Sequence, residues 1–215
     1  IEEARAVDPT HPEQIFNHYE RAYNTGYQTR NTVTLNGGTE NALLSSSLSY
    51  NYHKGVLPNT DFTSINARIG AQFKLSSKLK FNPTVLYTNS GGIRYNADRF
   101  NESLTYWSPR WDVRDYKNEN GTMKVYGTNN NPIFGAYENL FRDNVDRIIA
   151  NANLVYDPVS WLNINYRFGM DNTADFRRST KPGPRGIAGE FVLSDGGLLG
   201  VSGVLGSVGE YRINN

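Results

Sequence analysis

The chain has 215 residues, 22 Lys+Arg against 21 Asp+Glu for a net charge of +1, 38% hydrophobic residues and a mean hydropathy of −0.59. No run approaches the roughly 18 apolar residues a membrane helix needs, and no basic block supplies the footprint of a nucleic-acid binder, so no nucleic-acid partner is expected. The absence of cysteine excludes disulfides, thiol nucleophiles and thiolate metal sites, three histidines are few for a histidine-based metal centre, and 14 Tyr, 10 Phe, 20 Gly and about 26 Asn suit a β protein with two differently wetted faces.

The first residue is Ile1, with neither a basic nor an apolar leader region after it. The last pair, Asn214-Asn215, falls on the approach to a strand. These ends read as cuts in a longer polypeptide. Glu2 to Ala6 favours helix by propensity, and Pro12 to Tyr23 places Ile15, Phe16, Tyr19 and Tyr23 at helical spacing. Residues 1–30 are therefore expected to be a connecting segment with a short helix.

From residue 31 onward the period changes to two. A short strand surrounds Val33 and Leu35, followed by a tight turn at Gly37-Gly38-Thr39-Glu40. The next strand, about Leu44 to Tyr52, turns Leu48, Tyr50 and Tyr52 one way and Ser45, Ser47, Ser49 and Asn51 the other. After a loop from Gly55 to Asp61, Ile65, Ala67, Ile69, Ala71, Phe73 and Leu75 alternate with Ser64, Asn66, Arg68, Gly70, Gln72 and Lys74. Ser76-Ser77 is tight. Leu79, Phe81, Pro83, Val85 and Tyr87 then oppose Lys78, Lys80, Asn82 and Thr84, with Pro83 marking a bulge or a weakened pairing.

A long connection follows, placed near residues 89–144. It holds Tyr106-Trp107-Ser108-Pro109-Arg110-Trp111-Asp112-Val113-Arg114-Asp115-Tyr116, with one helical turn expected at Asn101 to Leu104. Tyr106, Trp107, Arg110, Trp111 and Tyr116 are candidates for external ligand contact, since indole and phenol faces stack on sugar rings while Arg and Asp bond hydroxyls or peptide groups. The competing reading is that these rings hold the loop together. Beyond it, Ile148, Ala150, Ala152, Leu154 and Tyr156 alternate with Arg147, Ile149, Asn151, Asn153 and Val155. After a turn at Asp157 to Ser160, Leu162, Ile164, Tyr166, Phe168 and Met170 alternate with Asn163, Asn165, Arg167, Gly169 and Asp171. A second long connection is placed at about 173–200. It contains Arg177-Arg178, read as a solvated loop base or a contact to anionic lipopolysaccharide, then a proline-rich loop Lys181 to Gly186. Glycines at 197, 200, 203, 206 and 209 mark a flexible loop that enters a strand near Glu210.

Two features of this series point beyond a soluble sheet. Several strands run to about ten residues or more, the length a tilted strand needs to cross a bilayer. Short and long connections also alternate strictly, as they do on the two sides of a transmembrane barrel. Tyr50, Tyr52, Tyr87, Tyr156, Trp161, Tyr166 and Phe168 lie near strand ends on or beside the apolar face, where a membrane–water boundary collects such rings. In that arrangement Asn151, Asn153, Asn163, Asn165 and Arg167 face the lumen.

Gln14-Ile15-Phe16, Tyr23-Asn24-Thr25-Gly26 and Asn31-Thr32-Val33-Thr34-Leu35-Asn36-Gly37-Gly38-Thr39-Glu40 resemble the early barrel of SusC/RagA-type TonB-linked outer-membrane proteins. Ser47-Leu48-Ser49-Tyr50, Gly55-Val56, Asn59-Thr60-Asp61-Phe62 and Arg68 continue the likeness in order. Asn131-Pro132-Ile133, Arg147 to Asn151 and Phe168-Gly169-Met170-Asp171 extend it to about residue 171, while Thr173 to Asn215 shows no match. Each motif is short; their order and spacing carry the resemblance. It implies an all-β fold, a portion of a large antiparallel transmembrane β-barrel of about 22 strands in the family, of which residues 31–215 would form 6–7 strands of wall. It also implies TonB coupling through a region outside this chain, a SusD-like surface lipoprotein as partner, an oligosaccharide or peptide as substrate, outer-membrane lipid around the wall, and no cofactor or catalytic residue. The alternative from the residues alone is a secreted all-β carbohydrate-binding or adhesin module that buries the same apolar faces in a core.

Overall fold

The computed structural model describes residues 15–119, 121–124, 130–181, 192–193, 199–200 and 206–214, with side chains up to Thr180. The period-two segments form strands β1 (Tyr27–Thr39), β2 (Ala42–Lys54), β3 (Asp61–Ser76), β4 (Leu79–Arg94), β5 (Leu140–Val159) and β6 (Leu162–Lys181). A two-residue pair, β7 (Val192–Leu193) and β8 (Leu199–Gly200), stands apart, and β9 (Gly206–Asn214) closes the order. β1 to β6 and β9 make one open antiparallel sheet of seven strands in chain order, a meander whose edge strands β1 and β9 have no further partner among the described residues.

The connections differ in kind on the two sides. Glu40-Asn41, Ser77-Lys78 and Ser160-Trp161 join strands with two residues each, whereas residues 55–60, 95–139 and 182–205 span the other side. Gly38 is required at the first hairpin: a Cβ there would lie 2.1 Å from the Ala42 carbonyl oxygen and 2.8 Å from the Leu43 Cα. Opposite Pro83 the β3–β4 ladder skips Ala71 and Gln72 and resumes at Phe73↔Phe81 in the same register. The missing N–H thus weakens the pairing without a bulge; the register shift falls instead between Lys74 and Ser76.

Several strands are longer than the alternation alone indicated. β1 starts at Tyr27, inside the expected connecting segment, β4 and β5 reach Arg94 and Leu140, and β6 continues to Lys181. The long connection is therefore 95–139 rather than 89–144, and Arg177 and Arg178 belong to a strand, not to a loop base. Polar residues on both faces hide the periodicity there: Arg142, Asp143, Asn144 and Asp146 on β5 and Asn172, Thr173, Asp175, Arg177 and Arg178 on β6 break the apolar alternation. The expectations for residues 2–6, for Pro182 to Gly186 and for most of the glycine-rich stretch lie outside the described residues.

Three helices sit at the long-connection end: α1 (His18–Ala22), α2 (Ala97–Thr105) and α3 (Pro132–Glu138). α2 exceeds the single turn expected because Asn96 caps it, its Oδ1 accepting from the Arg99 N–H at 3.0 Å. α3 begins on Asn131-Pro132, an N-cap followed by proline at the first helical position. The compact core of the described residues lies here rather than on the sheet: Ala22, Phe100, Leu104, Trp107, Val113, Ile133 and Ala136 are buried together, with Tyr23, Leu57, Tyr95 and Tyr116 against them.

Candidate functional site

Strand register sorts every described side chain of the sheet onto one of two faces. Cross-strand partners share a face, so Val33, Leu48 and Ala67 stand with Tyr87 and Ile148, and Ser46, Ile69 and Val85 with Ala150 and Met170. Phe73, Phe81, Leu154 and Tyr166 form another row of the same face. This face is continuous and apolar over six strands, and it is uncovered: Val33, Leu48, Ile69, Val85, Phe168 and Met170 are all exposed. The opposite face carries Thr32, Ser49, Asn66, Thr88 and Arg147 in one row and Asn82, Asn153 and Arg167 in another.

The apolar band is slanted across the hydrogen-bonded rows. Its outward residues run from Leu44 to Tyr52 on β2, from Leu79 to Tyr87 on β4 and from Leu162 to Met170 on β6. Measured along β4, the centre of the run drops by about six residues between β2 and β6, or about 1.5 per strand. Strands about 4.8 Å apart and tilted by about 40° to a common axis need a drop of about 1.2 residues per strand to keep a band level. Along β4 the band covers eight residue steps, about 27 Å of strand, or roughly 20 Å along such an axis. Tyr27, Tyr50, Tyr52 and Tyr87 bound it above, the rings of Tyr27 and Tyr52 lying 5.6 Å apart, and Tyr156 and Trp161 bound it below. Trp161, in the β5–β6 turn, is 81% exposed.

On the polar face the structure brings together the five expected residues Asn151, Asn153, Asn163, Asn165 and Arg167. Asn163 donates from Nδ2 to Asp157 Oδ1 at 2.5 Å. Three Arg–Asp pairs on the same face were not anticipated: Arg94–Asp143 at 2.6 Å, Arg177–Asp175 at 2.7 Å, and Arg147–Asp171, whose Nε–Oδ1 bond is 2.9 Å. Asp143 is buried and Arg94 largely exposed, so the acid holds one end of the guanidinium at the rim while much of the arginine side chain stays accessible. Arg94–Asp143 and Arg147–Asp171 join neighbouring strands and meet only once register is known, whereas Arg177 and Asp175 stand two residues apart on β6.

At the long-connection end of the sheet, the described residues of 95–139 form a packed cap held by three separate stretches of chain. Arg21 grips Asp112 with two bonds of 2.9 and 2.6 Å, and Arg114 Nε donates to the Arg21 carbonyl at 2.8 Å. The Tyr23 hydroxyl donates to Asn101 at 2.6 Å, and Asn59 Nδ2 to the Ala136 carbonyl at 3.1 Å. Asn131 is buried; its Oδ1 accepts from the Ile133 and Phe134 N–H groups and its Nδ2 donates to the Val113 carbonyl at 2.8 Å. All of its polar atoms are thereby used in joining α3 to the aromatic loop.

The five candidate contact residues divide on this cap. Tyr106 is 67% and Trp111 37% exposed, and Arg110 and Tyr116 are half-buried. Trp107, only 3% exposed, belongs to the cap core, with its Nε1 donating to the Trp111 carbonyl at 2.9 Å. It therefore cannot offer a ring face to a ligand; of the two readings of this aromatic run, loop packing describes Trp107. Tyr137, not singled out from sequence, is exposed and stacks on Tyr116 with centroids 5.6 Å apart and planes 12° from parallel. The Asn131-Pro132 start of α3 is the sequence signal that brings it there. Beside the cap, a concavity of about 580 Å³ at the rim is lined by His53, Val56, Leu57, Phe62, Arg94 and Tyr95 among others. Among the described residues no three His, Asp or Glu side chains converge as a metal site would require.

The sheet is thus of the kind that separates an apolar from a polar medium. Among solved structures, the chain is similar to the RagAB peptide importer in its closed-closed state, with a TM-score of 0.64 at 15% identity over 79% of this chain. The match takes in 20% of that chain, so the present residues span about a fifth of the length of the structure they match. At this identity the likeness is one of fold: an antiparallel sheet equivalent to a stretch of that protein. No protein-family profile matches the chain, and no curated protein matches it in sequence.

Proposed function

We propose that this chain is a stretch of the wall of an outer-membrane β-barrel importer of the SusC type, coupled to TonB and working with a SusD-like surface lipoprotein. The observation that carries the reading is the slanted, uncovered apolar band bounded by tyrosines and tryptophan. A soluble sheet has no reason to keep such a band level across tilted strands, whereas a bilayer demands it. The two edges left without a partner among the described residues support membership of a longer barrel, because unpaired backbone groups in hydrocarbon cost several kcal/mol each. The cap lies on the side of the long connections and is the external side; Tyr106, Arg110, Trp111 and Tyr116 with Tyr137 are its contact surface for a peptide or oligosaccharide. Asn151, Asn153, Asn163, Asn165 and Arg167 line the lumen. The work is binding and gated passage, without catalysis.

The test is the intact mass and partition of the native polypeptide that contains residues 14–171. A membrane-embedded species near 100 kDa, extracted only by detergent, is the expected result. A species near 24 kDa in the soluble fraction would overturn the reading and leave the secreted binding module.

A further inference from the structure

The polar face of β1 to β6 holds more cations than its acids can pair. Those acids are all engaged: Asp143, Asp171 and Asp175 with Arg94, Arg147 and Arg177, and Asp157 with the amide of Asn163. Arg30, Arg68, Lys74, Lys80 and Arg167 share the face, are exposed, and have no acid partner among the described residues. They stand at descending heights: Arg30 in the row of Asn51, Arg68 two rows lower opposite Ser47, and Arg167 two rows lower again opposite Asn153. Lys74 and Lys80 face each other directly across β3 and β4 near the short turns, a like-charge pairing that disfavours the ladder where no anion lies over it.

Arg68 also borders a concavity of about 580 Å³ in this face. Its floor is the row Ser45, Gly70 and Thr84, side chains too short to fill the space between Arg68 on one side and Leu43 and Gln72 on the other. A Cβ at Gly70 would meet nothing nearer than the Thr84 hydroxyl at 3.4 Å, so the fold does not require glycine there; the missing side chain is room. Around the floor, Asn36, Gln72 and Asn82 present amides, which both donate to and accept from peptide groups. Below His53, Phe62 and Phe141 the polar face of β1 to β6 carries no aromatic ring on which a pyranose could stack.

We propose that the cargo passing this wall is an acidic peptide, and that the dip beside Arg68 seats one of its carboxylate side chains. The planar guanidinium offers paired N–H donors to the carboxylate, while Gln72 and Asn82 take the adjoining peptide groups. The other cations of the face continue the attraction from the long-connection side toward the short turns, at exposed sites from which an anion also leaves readily. The inference rests on the barrel reading above, in which this face lines the lumen, and adds to it the charge of the cargo.

The experiment titrates the full-length protein in detergent with three labelled probes: a hexapeptide with alternating glutamates, its glutamine counterpart, and hexagalacturonate. Binding is read by fluorescence polarisation, and a photoreactive group on the glutamate peptide maps its contacts by mass spectrometry. Crosslinks are expected within residues 36–45, 68–72 or 82–84. Arg68→Gln should weaken the glutamate peptide by about tenfold, the loss of one charge-assisted contact, and leave the glutamine peptide unchanged. Arg68→Lys should recover part of that loss, and Gly70→Gln, which fills the dip without removing charge, should weaken both peptides. Equal binding of the glutamate peptide by Arg68→Gln and the unaltered protein, both heat-modifiable in electrophoresis, would overturn this inference and leave the barrel intact, as would crosslinks confined to the cap. Tighter binding of hexagalacturonate than of the glutamate peptide would overturn the choice of a peptide. A full-length protein that stays soluble without detergent would overturn the barrel reading and this inference together.

Discussion

Ile69 offers the sharpest test of which medium meets the apolar face. It lies near the middle of the outward run on β3, between Ser46 and Val85, and is 58% exposed with nothing in the chain to cover it. If hydrocarbon covers it, Ile69→Arg places a guanidinium close to the bilayer midplane, at a cost of about 2–4 kcal/mol. That is a roughly 30- to 800-fold loss in the folded-to-unfolded ratio. Ile65→Arg, at the upper end of the same run beside Tyr50, should cost only about 0–1 kcal/mol because its charge reaches the interface. Gln72→Arg, exposed on the other face, should be neutral. The three variants of the full-length protein are compared in vesicles by guanidinium unfolding, with heat-modifiable electrophoretic mobility reporting the folded fraction. A second protein layer over the sheet would make the Ile65 and Ile69 substitutions similarly costly, since both would bury an unpaired charge. Equal penalties at the two positions, or none at Ile69, would refute the bilayer argument.

Other consequences follow for the cap and the first hairpin. Trp107→Ala should destabilise the cap by about 3–5 kcal/mol, the range for emptying a buried aromatic site, seen as faster proteolytic cleavage within 95–139. Tyr106→Ala should leave cleavage unchanged and weaken ligand binding only. Burial pushes the His18 imidazole below its ordinary 6.5, so the neutral form is favoured in the folded cap. Above that pH the group is neutral whether folded or not. As pH falls through 6.5 the unfolded segment takes up the proton first, and the packing of α1 weakens progressively until the lowered folded value is passed. Amide exchange at residues 17–23 should therefore accelerate relative to the strands between pH 7.5 and 5, and His18→Gln should abolish that difference. Gly38→Val should impair assembly of the β1–β2 hairpin, measured as a fall in the heat-modifiable folded fraction, because its Cβ would run into the Ala42 carbonyl.

What could be read from the residues, and what could not, separates along one physical line. Alternation is a local signal: Ile65 to Leu75 and Leu162 to Met170 declare their faces without knowledge of any partner, because a strand turns successive side chains to opposite sides. The order of strands followed from the short turns. The upper half of β6 escaped because Asn172, Asp175, Arg177 and Arg178 put polar residues on both faces, leaving only Ala174 and Phe176 to mark the outward side. Trp107 and Trp111 stand four residues apart in one aromatic run, yet one is buried and the other exposed, since only the arrival of α3 and α1 decides which ring is enclosed.

The same line explains the division of labour within the chain. The sheet has almost no interior of its own, so its order comes from backbone pairing and from whatever medium meets the apolar face. The cap has a true core, its own helix caps and an ion pair to α1, so it can hold Tyr106, Trp111 and the Tyr116–Tyr137 stack in place without help from that medium. On the proposed reading, the groups offered to a ligand are thus mounted on the part that is rigid by packing, above a sheet that is rigid by hydrogen bonding. Substitutions in the cap core should alter ligand contact while leaving insertion intact, and substitutions on the apolar band should do the reverse. A cap variant such as Trp107→Ala that abolished membrane insertion would show that the two parts do not fold separately.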